Sequence, residues 1–355
     1  MAAAVLGLSA CANGPSYHVT QGQQPLIMVP ASRAAVDDER AAFRAYFCQL
    51  TAAEGVSLPE ARPCADALVQ LAGEVDSGTR IDAQTLPRQH YRVAVVLGIG
   101  WDCLQGFVDV DKLPHHHLAA VGYDVTLLHV DALSGSARNA SEIIRQLGEL
   151  EAAEDNRPII LVGYSKGAVD ILEAVARNGA ETRRVAAVLS VAGSIGGSPL
   201  ADNSSQGTLD LIRFVPGAQC DVGDDGAVES LRTDVRQAWL AQHSLPGTVR
   251  SYSMVALPQA GMVSAILLPG YAQLAGINPL NDSNVLFYDA LIPGGTLLGY
   301  ANADHWAITL PVARSSPLLG ATVVSQNHYP REVLWQAMID FIVTDLETAE
   351  EDKAG

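Results

Sequence analysis

The sequence predicts an α/β fold, a mostly parallel central sheet with helices on both faces. Three observations carry this. Apolar runs of strand length at residues 93–97, 158–162 and 185–191 alternate with helix-length amphipathic stretches, as expected when strands are buried on both faces. The chain has 355 residues, 48% of them hydrophobic and only 17% charged, enough apolar material for one large core. The first of those runs is followed at once by Gly98, the second runs straight into Gly163, and Gly193 stands two residues after the third.

The elements follow in order. Residues 34–75 read as helical, with Val36, Phe43, Phe47 and Leu50 and then Ala65, Leu68, Val69 and Leu71 at helix-like intervals, so residues 34–90 form an N-terminal helical segment. The α/β domain spans 91–347. It opens with the strand at 93–97 and continues with a strand at 124–130, an amphipathic helix at 139–150 placing Ile143, Ile144 and Leu147 inward, and a strand at 158–162. A helix at 168–177 and a strand at 185–191 come next. Residues 194–228 break the pattern for longer than a simple connection requires and read as a cap or lid. A helix at 230–242, strands at 249–257 and 296–300, a closing helix at 332–346 and a tail at 348–355 complete the chain. Residues 260–280, apolar and rich in Gly and Pro, line an acyl site, form a mobile lid or simply pack in the core. Strand and helix alternation of this kind implies right-handed crossovers.

The charge restricts partners. With 39 acidic and 22 basic residues, a formal net charge of -17, the chain repels phosphate backbones, and no Lys/Arg cluster offsets this; nucleic acid is excluded as a partner. No apolar run reaches the roughly 20 residues that span a bilayer. Residues 1–11 are apolar and rich in small residues, and Leu8-Ser9-Ala10-Cys11 resembles the lipobox of bacterial lipoprotein precursors. That resemblance implies export, a lipid anchor to the membrane through Cys11 and a polar tether at 12–33, although no Lys or Arg precedes Arg33. The remaining cysteines, Cys48, Cys64, Cys103 and Cys220, pair in three possible ways. The short separation favours Cys48 with Cys64, leaving Cys103 for Cys220.

The strongest chemical signal is Gly163-Tyr164-Ser165-Lys166-Gly167, a glycine, any residue, serine, any residue, glycine pattern between a buried strand and a helix. Such a turn forces strained backbone angles on the serine and lifts its hydroxyl clear of the sheet. Serine needs a base, and the base needs a third group to fix its tautomer. His305, in Asn302-Ala303-Asp304-His305-Trp306, follows the last predicted strand and is the chosen base; His328 is its C-terminal rival and His243 comes too early. Asp282 is the chosen acid, with Asp289 and Asp304 as rivals. Backbone N–H groups of Ile99 and Lys166 are the candidate oxyanion donors, with Gly100 or Trp101 as alternatives to Ile99. Trp101 and Tyr164 are candidate substrate contacts. No cofactor is called for, because the three-glycine dinucleotide pattern is missing after residues 93–97. His115-His116-His117 lacks the ligand spacing of a metal site, and a helix cap explains Asn139 in Asn139-Ala140-Ser141.

These motifs make residues 92–347 resemble the α/β-hydrolase superfamily, in its bacterial esterase and lipase branches. The order Ser165, Asp282, His305 matches the family order, and Gly98-Ile99 stands where the family places an oxyanion donor; Lys166 beside the serine is unusual among lipases. The resemblance implies a serine hydrolase that cleaves carboxylic esters through an acyl-enzyme on Ser165, with small esters, lipids or polyesters as substrate. The alternatives are a polyester depolymerase and a catalytically silent surface-binding lipoprotein on the same fold.

Overall fold

The computed structural model of the chain describes residues 36–71, 74, 81, 85–99, 108–152, 156–204 and 223–354. Seven strands form one sheet: β1 (Asp37–Asp38), β2 (Arg92–Val96), β3 (Asp124–Leu127), β4 (Ile159–Tyr164), β5 (Val185–Val191), β6 (Arg250–Ala256) and β7 (Thr296–Ala301). Their order is β1-β7-β6-β5-β4-β2-β3, and every pairing is parallel. The expected fold class is the one found.

Side-chain alternation along the strands divides the core in two. Val93, Val95, Ile160, Val162 and Leu189 face one cluster. It contains Phe43 and Phe47 of helix α1 (Arg40–Ala53), Leu118 of α2 (Pro114–Ala120) and, further along the chain, Leu334, Met338 and Ile342 of the closing helix. Ala94, Val96, Leu161 and Val188 face the other cluster, against Ile143 and Leu147 of α3 (Ser136–Ala152) and Ile171 and Val175 of α4 (Lys166–Ala176). Helices α5 (Thr233–Gln242) and α6 (Leu268–Ala275) precede the closing helix α7 (Arg331–Ala354). None of the helices among the described residues is long and apolar enough to cross a membrane.

From β2, next to the edge of the sheet, the chain passes to β3 on one side and then to β4 on the other. Between β2 and β4 the connections diverge, which opens a crevice beyond the carboxyl ends of the strands. Ile99 and Ser165 stand on either side of it.

The N-terminal region differs from its helical pattern. Helix occupies Arg40–Ala53 and a single turn at Cys64–Ala67. Leu68 instead bridges Ala301, and the Val69 N–H donates to the Tyr300 carbonyl at 2.8 Å. The exposed edge of β7 supplies partners that a short apolar run satisfies as well extended as helical. With β1 pairing Thr296 and Leu297, this region covers the outer edge of the sheet. Cys48 and Cys64 are disulfide-bonded across a separation of 16 residues. Cys11, Cys103 and Cys220, and residues 205–222 of the expected cap, lie outside the described residues. At the other end α7 continues through Ala354, so the expected tail is helical up to that residue.

Of the three successive histidines of α2, His115 and His116 pack with ring centroids 4.3 Å apart, and His117 turns to the closing helix. His117 Nε2 meets Gln336 Oε1 at 2.6 Å, while His116 faces Asp111. His115 is partly buried, and this burial together with neighbouring His116 pushes its pKa down to about 4. An unfolded imidazole binds its proton nearer pH 6.5, so the unfolded state takes up protons first and stability falls as pH drops from about 6.5 towards 4. Urea unfolding at pH 7 and pH 4.5 should show His115→Gln losing less stability over that interval than the wild type.

Candidate active site

Strand β4 ends at Tyr164 and α4 begins at Lys166, leaving Ser165 alone in the turn at φ 56° and ψ -124°. A non-glycine residue held there costs about 1–3 kcal/mol. Close packing enforces it. A Cβ on Gly163 would lie 2.4 Å from Ala168 Cα, and one on Gly167 would lie 2.4 Å from the Val96 carbonyl oxygen. Glycine at both positions lets α4 start hard against β2 and β4. The Ser165 N–H still donates to the Val191 carbonyl at 3.0 Å, so the β4–β5 ladder runs into the turn.

His305 stands four residues beyond the end of β7. Its loop is folded around Asp304, whose carboxylate accepts the N–H groups of Trp306 at 3.1 Å, Ala307 at 2.8 Å and Ser264 at 2.9 Å. Burial nonetheless raises the Asp304 pKa. The His305 N–H donates to the Asp282 carbonyl at 2.9 Å, and His305 Nδ1 meets Asp282 Oδ2 at 2.7 Å. The other oxygen of Asp282 accepts the N–H groups of Asn284 at 2.9 Å and Val285 at 2.7 Å, which fixes the carboxylate. His305 Nε2 lies 2.8 Å from Ser165 Oγ.

A carboxylate against Nδ1 holds the proton on that nitrogen and leaves Nε2 to accept from the serine hydroxyl. The structure thus brings Ser165, His305 and Asp282 into one buried relay. Its rivals are elsewhere. Asp304 organises the loop, and Asp289 is buried in the turn Phe287–Ala290, where its carbonyl accepts the Gly196 N–H. His328 is exposed beside Glu60, and His243 is exposed and stacked on Trp239.

Gly98, Ile99, Tyr164, Ser165, Asn284, His305, Trp306 and Leu310 line a pocket over this relay. Ile99 is therefore at the site, and Lys166, as the first residue of α4, offers an N–H without an intrahelical acceptor. The Lys166 ammonium is buried and bound to both oxygens of Asp170, at 2.8 and 2.9 Å. Asn139, inside α3 rather than capping it, donates to the same carboxylate at 2.8 Å. Tyr164 lines the pocket, and its hydroxyl donates to the His305 carbonyl at 2.7 Å, which supports the histidine loop. Trp101 and Gly100 lie outside the described residues. Asn284, a pocket residue the sequence reading missed, had one local signal: it stands two residues after the candidate acid in a loop rich in Asn and Ser.

Among solved structures, the chain is similar to the metagenomic carboxyl esterase MGS0156, with 37% identity over 91% of this chain and 97% of that one and a TM-score of 0.81. The chain belongs to the α/β-hydrolase superfamily, in its serine esterase and lipase branch. This α/β-hydrolase also shares its fold with the Staphylococcus hyicus lipase (11% identity, 75% of this chain and 98% of that one, TM-score 0.56). The mature Bacillus licheniformis lipase BlEst2 is a further fold relative (20% identity, 67% and 93%, TM-score 0.51). No protein-family model matches the chain, and no curated protein compared with it matches.

A Cβ on Gly98 would fall 2.7 Å from Ser165 Cβ and 3.2 Å from its Oγ. Gly98→Ala must therefore push the serine away from His305. The expected outcome is a loss of roughly 10²-fold in kcat/KM on an ester substrate, the usual cost of an ångström-scale misplacement, with the variant still folded by circular dichroism.

Proposed function

We propose that this α/β-hydrolase is a carboxylic ester hydrolase in which Ser165 is the nucleophile, His305 the general base and acid, and Asp282 the group that orients the imidazole. The observation that carries the reading is the relay of Ser165 Oγ, His305 and Asp282, at 2.8 and 2.7 Å, opening on a pocket. Ser165 Oγ attacks the ester carbonyl carbon as its proton passes to His305 Nε2. The resulting oxyanion accepts hydrogen bonds from the N–H groups of Ile99 and Lys166, at the positive end of α4. The tetrahedral intermediate collapses as His305 returns the proton to the leaving alkoxide, which departs as the alcohol. Water then attacks the acyl-enzyme with His305 as base, and the carboxylic acid leaves.

Hydrolysis of p-nitrophenyl esters from short to long acyl chains tests this. Ser165→Ala should lose about 10⁵-fold or more in kcat, and Asp282→Asn about 10⁴-fold. A wild type inert towards dissolved and insoluble esters alike would favour a silent binding protein instead.

Insoluble esters, whether lipid or polyester, form a second reading within the same chemistry, and one feature of the surface favours it. The exposed large hydrophobic residues among the described residues are Ile266, Leu268, Ile277, Leu318 and Val323. They fall on two segments joined by the Ile266 N–H and the Val323 carbonyl at 3.0 Å. The first segment contacts both loops of the relay, through Ser264 to Asp304 and through Gly270 beside the Ser283 carbonyl. Residues 257–281 contain no charged side chain in a chain of net charge -17. On this reading Ile266→Ser combined with Leu318→Ser slows hydrolysis of an emulsified ester about tenfold or more, from the lost burial of two aliphatic side chains. Hydrolysis of p-nitrophenyl acetate stays the same.

Export is supported by the Cys48–Cys64 disulfide, since such bonds persist in oxidising compartments. A lipid anchor at Cys11 rests on the Leu8-Ser9-Ala10-Cys11 motif alone.

A further inference from the structure

The loop that carries His305 leaves β7 at Ala301, and its first residue, Asn302, is buried and held on three sides. The Asn302 N–H donates to the Ala67 carbonyl at 2.8 Å, and its Nδ2 donates to the Asp66 carbonyl at 2.9 Å and to Gln259 Oε1 at 3.2 Å. Its Oδ1 accepts the Gln259 N–H at 2.8 Å. Asn302 therefore clamps the start of the histidine loop between the segment after β6 and the one-turn helix Cys64–Ala67. The Tyr329 hydroxyl donates to the same Ala67 carbonyl at 2.9 Å.

A single helical turn has no stability of its own, so something must hold Cys64–Ala67 where Asn302 needs it. Cys64 is bonded to Cys48 in the third turn of α1. Arg44 of the same helix donates to the Leu68 and Val69 carbonyls at 3.3 and 2.9 Å, just beyond the turn. Helix α1 is anchored in the main core by Phe43 and Phe47, with Phe43 against Phe341 of α7 at 5.9 Å. A continuous path of bonds runs from Cys48 through Cys64, Ala67 and Asn302 to the residue three positions further on, His305.

We infer that the disulfide-closed turn Cys64–Ala67 and Asn302 form a positioning device for His305, so that the rate of ester hydrolysis depends on the Cys48–Cys64 bond. This rests on the role proposed for His305. Neither the disulfide nor Asn302 touches the pocket; they act by fixing where the loop begins. Their loss should lower kcat while leaving KM nearly unchanged, because the pocket walls stay in place.

The test compares wild type, Cys48→Ser with Cys64→Ser, and Asn302→Ala, all assayed well below their melting temperatures. The readouts are kcat and KM on p-nitrophenyl butyrate and the rate of inactivation by an organophosphate, which needs the serine and its base but no bound ester. Both variants are expected to lose about tenfold in kcat and in inactivation rate. Reductant should slow the wild type to the same degree, releasing two more thiols from it than from the double-serine variant, whose rate it leaves unchanged. Variants that melt earlier but keep kcat and inactivation rate within twofold of wild type would make the disulfide a staple only and overturn the inference. So would a reductant effect that persists in the double-serine variant. If that variant does not fold, Asn302→Ala, with its disulfide intact, and the reduced wild type decide the matter on the same readouts. An inert wild type fails the esterase reading; an active wild type with unaffected variants fails this one alone.

Discussion

Ser165 sits at φ 56° and ψ -124°, a backbone conformation that must be imposed from outside because the local chain does not favour it. The imposing contacts come from three directions: β2 through Gly98 and the Val96 carbonyl, β5 through the Val191 carbonyl, and α4 through Ala168. Each depends on parallel strands lying side by side in register, with helix α4 pressed onto the sheet. The strain at one residue is thus a load shared by the whole sheet. Without the sheet the turn relaxes and its hydroxyl has no fixed direction in which to meet an imidazole.

A second set of buried polar groups supports that turn from behind. Lys166 and Asp170 form an ion pair within the first turns of α4, each only about 1% exposed, and Asn139 joins α3 to it. Ionised groups this deep are tolerated only when paired and hydrogen-bonded, since an isolated charge pays a large desolvation cost. Asn139 also donates to the Asp131 carbonyl, which carries the link on to the loop after β3. Lys166 therefore divides its work. Its side chain ties the helix to its neighbours, and its N–H stays at the helix start beside the pocket. An arginine or glutamine there would not reproduce the compact point charge that both Asp170 oxygens accept.

The parallel sheet was legible because a strand buried on both faces leaves a continuous apolar run, and β2, β4 and β5 all have one. The glycines around Ser165 were legible for an equally local reason, because the turn needs them at fixed offsets. Strand β1 was not. Asp37 and Asp38 bury no apolar side chain, and only backbone hydrogen bonds to β7 make them a strand. Leu68, Val69 and Leu71 misled in the opposite way, since three apolar residues in four fit a helix or an extended edge equally well. Asn302 left no pattern, and Asn284 left only its place two residues after the acid. Asn302 acts through hydrogen bonds to the distant Ala67 and Asp66 carbonyls, and a sequence does not record which carbonyl will be nearby.

The N-terminal region reads in the sequence as an addition to the catalytic domain, and the hydrogen bonds argue otherwise. Residues 66–69 satisfy the Tyr300 carbonyl, the Asn302 N–H and part of the Asn302 side chain, which Gln259 holds as well, and removing the region would take those partners away. Strand β7 would also become an open edge at the end of the sheet where the histidine loop departs. Buried polar groups without partners cost more than the hydrogen bonds gained by pairing them, so the loop would move to find water. The site is then built from both ends of the chain. Ser165 is fixed by the centre of the sheet, whereas the loop bearing His305 is fixed at its margin, where residues that precede the sheet's first long strand join Gln259, Ser264 and Asp282 as its partners.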